Sequence, residues 1–416
     1  MTATLSKPAC RIDERVVAPL ASVVGAEQTV PSEFWGDVRY ANFDYAASAP
    51  ALTEVADSLT EALAQYASVH RGAGRLSQVT TARYETARET VRRFVGGRTD
   101  DTVVFTRNTT DAINLAAHAV PGDVVVLDVE HHANLLPWKQ AGRARIVAAA
   151  ATFDETLAAL EAELAAAPAA LLAVTAASNV TGEVLPLRRL AAVAHRHGAR
   201  ILVDAAQLVA HRPVSLASFG LDYLVFSGHK VYAPFGAGVL VGRPDWLDAA
   251  SPYLAGGGAT AQVDAHGDAD WHRGAARHEA GTPNVLGAVS IAAAAKALQG
   301  IGFERIGYHE HDLLTRLDSG LARLDGVTPL RIFDDLTDRV GIAGFTVAGR
   351  TPREVAEYLN DGHGIGVRDG KFCAHPLLAK LGHSDGAVRV SFGLGTSSHD
   401  VDRLLQALAT LVDSTR

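Results

Sequence analysis

A lysine that follows a buried-looking strand could carry covalent chemistry. Lys230 is one of six lysines among the 416 residues, and it ends the largely apolar run that begins at Asp222. A lysine held in a loop at the carboxyl end of a strand can be desolvated, and its amine can then form a Schiff base with a carbonyl compound. An ordinary surface lysine is the alternative, but the neighbouring segments favour the chemical role.

An acid and an amide follow the preceding apolar run. The strand-like segment 201–203 leads to Asp204, and Gln207 stands three residues further on. A buried carboxylate can pair with a protonated pyridine nitrogen and keep a cofactor ring an electron sink. Gln207 could donate a hydrogen bond to an oxygen of that ring. The alternative for Asp204 is a simple cap of the next helix.

A polar segment upstream opens a predicted helix. Residues 106–111 follow a strand and include Thr109 and Thr110. The first backbone N–H groups of such a helix, together with the threonine hydroxyls, form an anion site suited to a phosphate. The same residues could instead serve as an N-terminal cap without any ligand.

Two adjacent histidines, His131 and His132, follow another apolar run. An imidazole at this place could stack on a planar cofactor and carry protons. The alternatives are a metal pair or buried polar histidines. Adjacent side chains on an extended segment point in opposite directions, so we predict no metal site here.

A cysteine lies in a turn-rich segment near the C-terminal end. Cys373 has Lys371 and His375 close to it in sequence, and a cysteine in an accessible loop near such groups forms a thiolate more readily than one in a core. A small buried hydrophobe is the alternative. Arg368 and Arg389 are both candidates to bind a substrate carboxylate through two parallel hydrogen bonds.

The elements that must position these residues form an alternating pattern. Continuous apolar strands separated by helical segments predict an α/β fold with a mainly parallel sheet covered on both faces. Ligands bind such sheets outside the carboxyl ends of the strands, where the residues named above stand. We predict seven strands: Thr102–Thr106, Val124–Val129, Arg145–Ala148, Ala170–Ala176, Arg200–Val203, Tyr223–Phe226 and Gly238–Val241.

The domain organisation follows from where this alternation begins and ends. We expect an N-terminal arm over residues 1–40 that packs with the small domain, a large domain over 41–300, and a smaller α+β C-terminal domain over 301–416. Helical periodicity over 285–300 and 303–324 marks the transition between the two domains.

Composition narrows the class of protein. Hydrophobic residues make up 48% of the chain and charged residues 20%, with a net charge of −8, which argues against binding to nucleic acid or to an anionic membrane. Two cysteines, Cys10 and Cys373, cannot form a disulfide framework, so we expect a reducing, cytoplasmic location. We expect no signal peptide and no membrane-spanning helix.

Taken in order, nine motifs resemble the class V aminotransferase fold, and more closely the Suf-type (group II) cysteine desulfurases and the bacterial selenocysteine lyases. The similarity runs from about residue 40 to residue 410. The motifs are Phe43–Ala47, Val69–Arg71, Thr109–Thr110, Glu130–Asn134, Ser178–Asn179, Asp204–Gln207, Ser227–Lys230, Glu279–Asn284 and Arg368–Pro376.

The resemblance implies a pyridoxal 5′-phosphate (PLP) enzyme of fold type I that acts on a small amino acid as a homodimer with shared active sites. It implies that Lys230 carries PLP as a Schiff base and moves the substrate Cα proton, and that Cys373 takes the sulfur as a persulfide. A sulfur-acceptor protein is a further partner that the resemblance allows. The resemblance further implies that His131 stacks on the cofactor ring, Asp204 pairs with the pyridine nitrogen and Gln207 bonds the ring oxygen. The phosphate would be bound by Thr109, Thr110, Ser227 and His229, together with Thr282 of the partner subunit. The substrate carboxylate would be bound by Asn179 and Arg368, with Arg389 and His70 nearby.

The segment before the cysteine departs from the family pattern. The family typically has Gly-His-His before its active cysteine, whereas this chain has Gly370, Lys371 and Phe372. Two imidazoles are replaced by an ammonium group and an aromatic ring, which changes the charge and polarity around the thiol, although Lys371 could still favour the thiolate.

Four functions therefore stay open at the level of sequence. The first is a cysteine desulfurase or selenocysteine lyase that uses Cys373. The second is a PLP-dependent C–S lyase that acts on a larger S-substituted cysteine or sulfoxide, such as hercynylcysteine sulfoxide, without Cys373. The third is an epimerase or aminotransferase of the same fold, and the fourth is a non-catalytic scaffold, which the combination of Lys230 with Asp204 opposes.

Overall fold

The computed structural model describes residues 15–413, so Cys10 and the first part of the predicted N-terminal arm lie outside the described residues. The α-helices of this range, in chain order, are α1 (Thr53–Ala64), α2 (Arg75–Phe94), α3 (Thr109–Ala119), α4 (Leu136–Gln140), α5 (Phe153–Ala166), α6 (Leu187–Arg196), α7 (Leu216–Phe219), α8 (Pro244–Ala249), α9 (Val285–Ile301), α10 (Phe303–Leu321), α11 (Pro352–His363), α12 (His375–Lys380) and α13 (Ser398–Asp413).

The strands of the same range begin with an N-terminal hairpin and end in a C-terminal sheet. In chain order they are β1 (Thr29–Ser32), β2 (Gly36–Arg39), β3 (Ala41–Asn42), β4 (Thr102–Thr106), β5 (Val124–Leu127), β6 (Ala144–Val147), β7 (Leu171–Thr175), β8 (Arg200–Asp204), β9 (Tyr223–Ser227), β10 (Gly238–Gly242), β11 (Thr260–Val263), β12 (Ala269–Trp271), β13 (Val327–Pro329), β14 (Ile342–Val347), β15 (Ile365–Gly366), β16 (Arg368–Gly370) and β17 (Ala387–Ser391).

A seven-stranded sheet forms the centre of the structure, as predicted. Its strand order is β4-β10-β9-β8-β7-β5-β6. The pairs from β6 to β9 are parallel, and β10 runs antiparallel to both β9 and β4. The carboxyl ends of β5, β7, β8 and β9 therefore meet at one edge of the sheet, where ligands of such folds bind.

Alternating apolar residues bury both faces of this sheet. On β5, Val125 and Leu127 belong to the same core as α9, whereas Val124 and Val126 belong to a second core with α3. Successive strand side chains point to opposite faces, so a continuous apolar run is what a strand covered on both sides requires.

A smaller four-stranded sheet follows in the C-terminal part, with the order β13-β14-β17-β16. It shares a separate core with α10 and α13. The N-terminal segment joins this region, because β3 pairs in parallel with β15 and the Ser32 hydroxyl donates to the carbonyl of Gly362. The packing of the arm with the small domain and the domain boundaries at residues 40 and 300 stay predictions.

Within residues 15–413 no single helix is both long and apolar enough to cross a membrane, although α9 and α10 pass a length and composition test as a pair bent by 80°.

Candidate active site

A cavity of about 280 Å³ opens at the carboxyl edge of the seven-stranded sheet. Twelve of the fourteen predicted site residues line it. They are Thr109, Thr110, His131, Asn179, Asp204, Gln207, Ser227, His229, Lys230, Arg368, Cys373 and Arg389.

Asp204, Gln207, Ser227 and Lys230 form the floor of this cavity. Asp204 is the last residue of β8, and Lys230 ends a 3₁₀ turn directly after β9. Gly228 permits that turn, because a Cβ there would lie 2.9 Å from the carbonyl oxygen of Ala233. Burial lowers the pKa of Lys230 and raises the pKa of Asp204, and the attraction between the two groups opposes both shifts.

The N-terminus of α3 lies beside this floor. Asn108 caps the helix, since its side-chain oxygen accepts the backbone N–H of Asp111 at 3.0 Å. The Ser227 hydroxyl oxygen accepts the backbone N–H of Thr109 at 2.8 Å and lies 2.6 Å from the Thr109 hydroxyl oxygen. A helix N-terminus with two hydroxyls beside it suits a phosphate group.

His131 is held as a neutral imidazole. Its Nδ1 accepts the backbone N–H of Ala133 at 3.0 Å, which leaves the ring proton on Nε2. Burial, reinforced by the charge of Lys230, lowers the pKa of His131 to about 3. A neutral, oriented ring at this place is suited to stacking on a flat cofactor.

Arg389 offers one unused donor in the cavity wall. Its Nη1 donates to the carbonyl oxygen of Asn179 at 3.1 Å, and its Nη2 donates to Oδ1 of Asp44 at 2.8 Å. Its Nε is buried and has no hydrogen-bond partner among residues 15–413. A buried unpaired donor is costly, so this nitrogen marks a place for an anionic ligand group.

Cys373 lies on a loop with an unusual backbone. Phe372 and Cys373 both adopt left-handed conformations, with φ angles of 53° and 54°. The Asn179 amide donates to the carbonyl of Phe372 at 2.8 Å, and the backbone N–H of His132 donates to the carbonyl of Cys373 at 2.9 Å. The thiol is free and exposed, so the interpretation of Cys373 as a buried hydrophobe is wrong.

Comparison with known proteins identifies the family. A family model described as Aminotransferase class-V matches residues 41–404. The chain belongs to the class-V aminotransferase family. The family predicted from the motifs is thereby confirmed, and this family is PLP-dependent.

Several relatives within the family carry the name cysteine desulfurase. One from Escherichia coli is 35% identical over 403 residues, which cover 92% of this chain and 96% of the relative. The solved apo structure of a cysteine desulfurase from Thermococcus onnurineus has a TM-score of 0.83 and 35% identity, and the match covers 90% of this chain and 95% of that one. The chain spans 55% of a relative from Mycolicibacterium paratuberculosis and 62% of one from Mycobacterium leprae, each 36% identical over 89% of this chain.

Two predicted residues of this class-V aminotransferase lie away from Lys230. His70 lines a second cavity of about 600 Å³, and Gly281 and Pro283, which flank Thr282, line it as well. His70 Nε2 lies 2.8 Å from Oε1 of Glu85. The structure thus brings His70 and the Thr282 segment together, but outside the cavity that holds the other twelve residues.

Glu130 begins one of the nine motifs, but no role was predicted for it from the sequence. The structure shows that it is fully buried behind the floor. Its carboxyl oxygens accept the side-chain amide of Asn134 at 2.8 Å and the backbone N–H of Thr175 at 3.0 Å. Burial raises the pKa of Glu130 to about 8. An acid directly after a buried strand was the available signal. Asp44, the partner of Arg389, was likewise quoted without a role.

Proposed function

We propose that this class-V aminotransferase is a PLP-dependent cysteine desulfurase that converts L-cysteine to L-alanine and leaves the sulfur as a persulfide on Cys373. One observation carries the proposal. Lys230 and Asp204 line the same cavity as Arg389, whose Nε is unpaired, and Cys373, whose thiol is free.

The chemistry of the lining residues fits PLP. Lys230 would hold its aldehyde carbon, Asp204 its pyridine nitrogen and Gln207 its ring oxygen. The phosphate would lie at the start of α3, between the hydroxyls and the imidazole that line the cavity there, namely those of Thr109, Thr110, Ser227 and His229. When bound, PLP supplies an electron sink for negative charge at the substrate Cα.

The protein groups supply binding and proton transfer. Arg389 would hold the substrate carboxylate through its free Nε edge, with Asn179 and Arg368 beside it. Lys230 would take the proton from the substrate Cα, because burial lowers the pKa of Lys230 and so favours the neutral amine.

Cys373 would then remove the sulfur. Its thiolate attacks the substrate sulfur, an S–S bond forms, and the Cβ–S bond breaks with its electron pair returning to the substrate carbon, which takes up a proton. The products are alanine and a persulfide, and no outside oxidant or reductant is needed.

The size of the cavity favours a small substrate over a larger S-substituted cysteine. Ligand pockets usually measure about 300–1,000 Å³. This cavity, at about 280 Å³, is slightly smaller than that range and would have to hold cofactor and substrate together.

The homodimer belongs to the same proposal. The second cavity, with His70 and the Thr282 segment, would face the Lys230 cavity of the other subunit and complete it. Transfer of sulfur to an acceptor protein and a cytoplasmic location stay predictions.

The test is an anaerobic assay of the purified protein with L-cysteine, L-selenocysteine and a cysteine sulfoxide. Alanine, pyruvate, sulfide and selenide are measured, and the Cys373 peptide is examined by mass spectrometry. We expect alanine and a Cys373 persulfide from L-cysteine. Pyruvate without a persulfide would indicate β-elimination and contradict the proposal.

The matched variant is Cys373→Ser, which removes the nucleophile and keeps the side-chain size. Turnover of L-cysteine should fall by about 10²-fold or more, since a nucleophile is lost, while the cofactor absorbance is retained. Selenide release that persists in the variant would assign the thiol to sulfur chemistry alone. Unchanged turnover of L-cysteine would place Cys373 outside the mechanism.

A further inference from the structure

The backbone before the thiol needs support from elsewhere in the protein. The left-handed conformation is unfavourable for a bulky residue, and here two such residues, Phe372 and Cys373, follow each other. Their carbonyl groups are held by distant segments, the first by the Asn179 amide and the second by the backbone N–H of His132.

Phe372, Asn179 and Arg389 contact one another in a closed triangle. The Phe372 ring lies over the Arg389 guanidinium, and the Cζ atom of Arg389 is 5.2 Å from the centroid of that ring. The Asn179 amide donates to the Phe372 carbonyl at 2.8 Å, and the Asn179 carbonyl accepts from Arg389 Nη1 at 3.1 Å. None of the three is more than 9% exposed, so each contact is shielded from water.

This triangle connects the proposed binding site of the substrate carboxylate with the thiol that would take the substrate sulfur. Arg389 carries the unpaired donor that would receive the substrate carboxylate, and Phe372 precedes the thiol by one peptide bond. A shift of the guanidinium towards a bound carboxylate must therefore be accommodated by the Phe372 ring and by the peptide that leads to Cys373.

We propose that Phe372 is a positioning residue that couples the grip of Arg389 on the substrate carboxylate to the placement of the Cys373 thiol. The inference rests on the proposed function for the role of Arg389. It assigns a purpose to the aromatic residue that stands where the related family has an imidazole. Coupling between two sites is reciprocal, so carboxylate binding and the placement of the thiol influence each other, and we expect a change at Phe372 to be felt at both.

The test uses two variants and two ligands. Phe372→Leu keeps an apolar side chain and removes the π-face, whereas Phe372→Tyr keeps the ring. L-Alanine carries the amine and the carboxylate without sulfur, and alaninol lacks the carboxylate. Their affinities for the cofactor-loaded protein are measured by titration of the cofactor absorbance, which requires no turnover.

We expect Phe372→Leu to weaken L-alanine binding by up to about tenfold, the factor that a desolvated cation–π contact is worth, and to leave alaninol binding unchanged. Phe372→Tyr should keep the affinity of the wild-type protein for both ligands. Equal losses for L-alanine and alaninol would reveal general damage and overturn the inference.

The second readout is the rate at which iodoacetamide alkylates Cys373 without ligand, followed on the Cys373 peptide. This measurement needs no cofactor, so it can be made in every variant. Cations beside a thiol favour the reactive thiolate. Arg389 is a cation that interacts electrostatically with this thiol. In Phe372→Leu the loop is released, and Cys373 should be alkylated at about one third of the wild-type rate or more slowly. In Phe372→Tyr the alkylation rate should equal that of the wild-type protein.

An alkylation rate and an L-alanine affinity that both stay unchanged in Phe372→Leu would refute the coupling. Failure of the proposed function gives a different result, because it would show as wild-type protein that forms no persulfide from L-cysteine. The ratio of L-alanine to alaninol affinity would still report on Arg389 in that case.

Discussion

The active site has two sides that are built by different means. The cofactor floor consists of Asp204, Gln207, Ser227 and Lys230, which stand at or just after the ends of buried strands. The Cys373 loop, residues 370–374, follows a short strand of the other sheet and has a left-handed backbone. Strand ends place the floor through local geometry, whereas contacts between distant segments place the loop.

The electrostatics of the two sides differ in the same way. Burial shifts the pKa values of the floor groups in the direction that disfavours charge, as for Lys230 and Asp204. The Cys373 thiol is exposed, and the Asn179 amide and the backbone N–H of His132 hold the carbonyl groups of Phe372 and Cys373. We therefore expect damage to the floor to abolish cofactor chemistry, and damage to the loop to spare the cofactor and impair sulfur removal.

Lys230→Ala is the largest perturbation of the floor. The visible Schiff-base absorbance should vanish and turnover should fall by at least about 10²–10⁴-fold, because the proton-transfer group is lost with the cofactor linkage. Alkylation of Cys373 should continue, since the loop does not depend on that linkage. Absorption spectra and alkylation of the same sample test both statements.

Lys296→Ala, a change of an exposed lysine on α9, is the control and should leave the spectrum intact. A Schiff-base band that persists in Lys230→Ala would mean that another amine carries the cofactor.

Two glycines sharpen the comparison. A Cβ at Gly238 would lie 2.5 Å from backbone atoms of Asn108, the residue that caps α3, whereas a Cβ at Gly370 would meet nothing within 4 Å. Gly238→Ala should therefore displace the start of α3, reduce cofactor retention on dialysis, and lower the free energy of unfolding by about 1–3 kcal/mol.

Gly370→Ala acts on the loop through its backbone, because Gly370 has a φ of 102°. It should slow persulfide formation and leave cofactor retention unchanged. Equal cofactor loss in both variants would contradict the separation of floor and loop.

This division also explains what could be predicted from the sequence. Apolar runs predicted the seven central strands to within two residues at each end, and strand ends predicted Asp204 and Lys230. The antiparallel direction of β10 was not predicted, since the pattern of apolar residues along a strand is the same in either direction. The contact of Phe372 with Asn179 was not predicted either, because it joins residues 193 positions apart that no local pattern relates.

The smallest effect we predict concerns the pH dependence of stability. Burial raises the pKa of Glu130 from 4.5 to about 8, so between these values the native state keeps a proton that the unfolded state releases. Stability therefore falls as the pH rises through this window. The neighbouring His131 acts in the opposite sense below pH 6.5, because its native pKa is about 3 and the unfolded state binds the extra proton.

The two slopes oppose each other below pH 6.5, the pKa of His131 in the unfolded state. The contribution of Glu130 can therefore be distinguished from that of His131 only between pH 6.5 and about 8, the pKa of Glu130 in the native state. There the contribution of Glu130 to the free energy of unfolding, measured as the difference between the wild-type protein and Glu130→Gln, should decline by about 1 kcal/mol per pH unit. Glu130→Gln should flatten this decline in urea unfolding curves, and Glu27→Gln, a change of an exposed acid, should not. A slope that survives in Glu130→Gln would show that the proton belongs to another group, and the floor would then owe its pH response to residues other than the acid behind it.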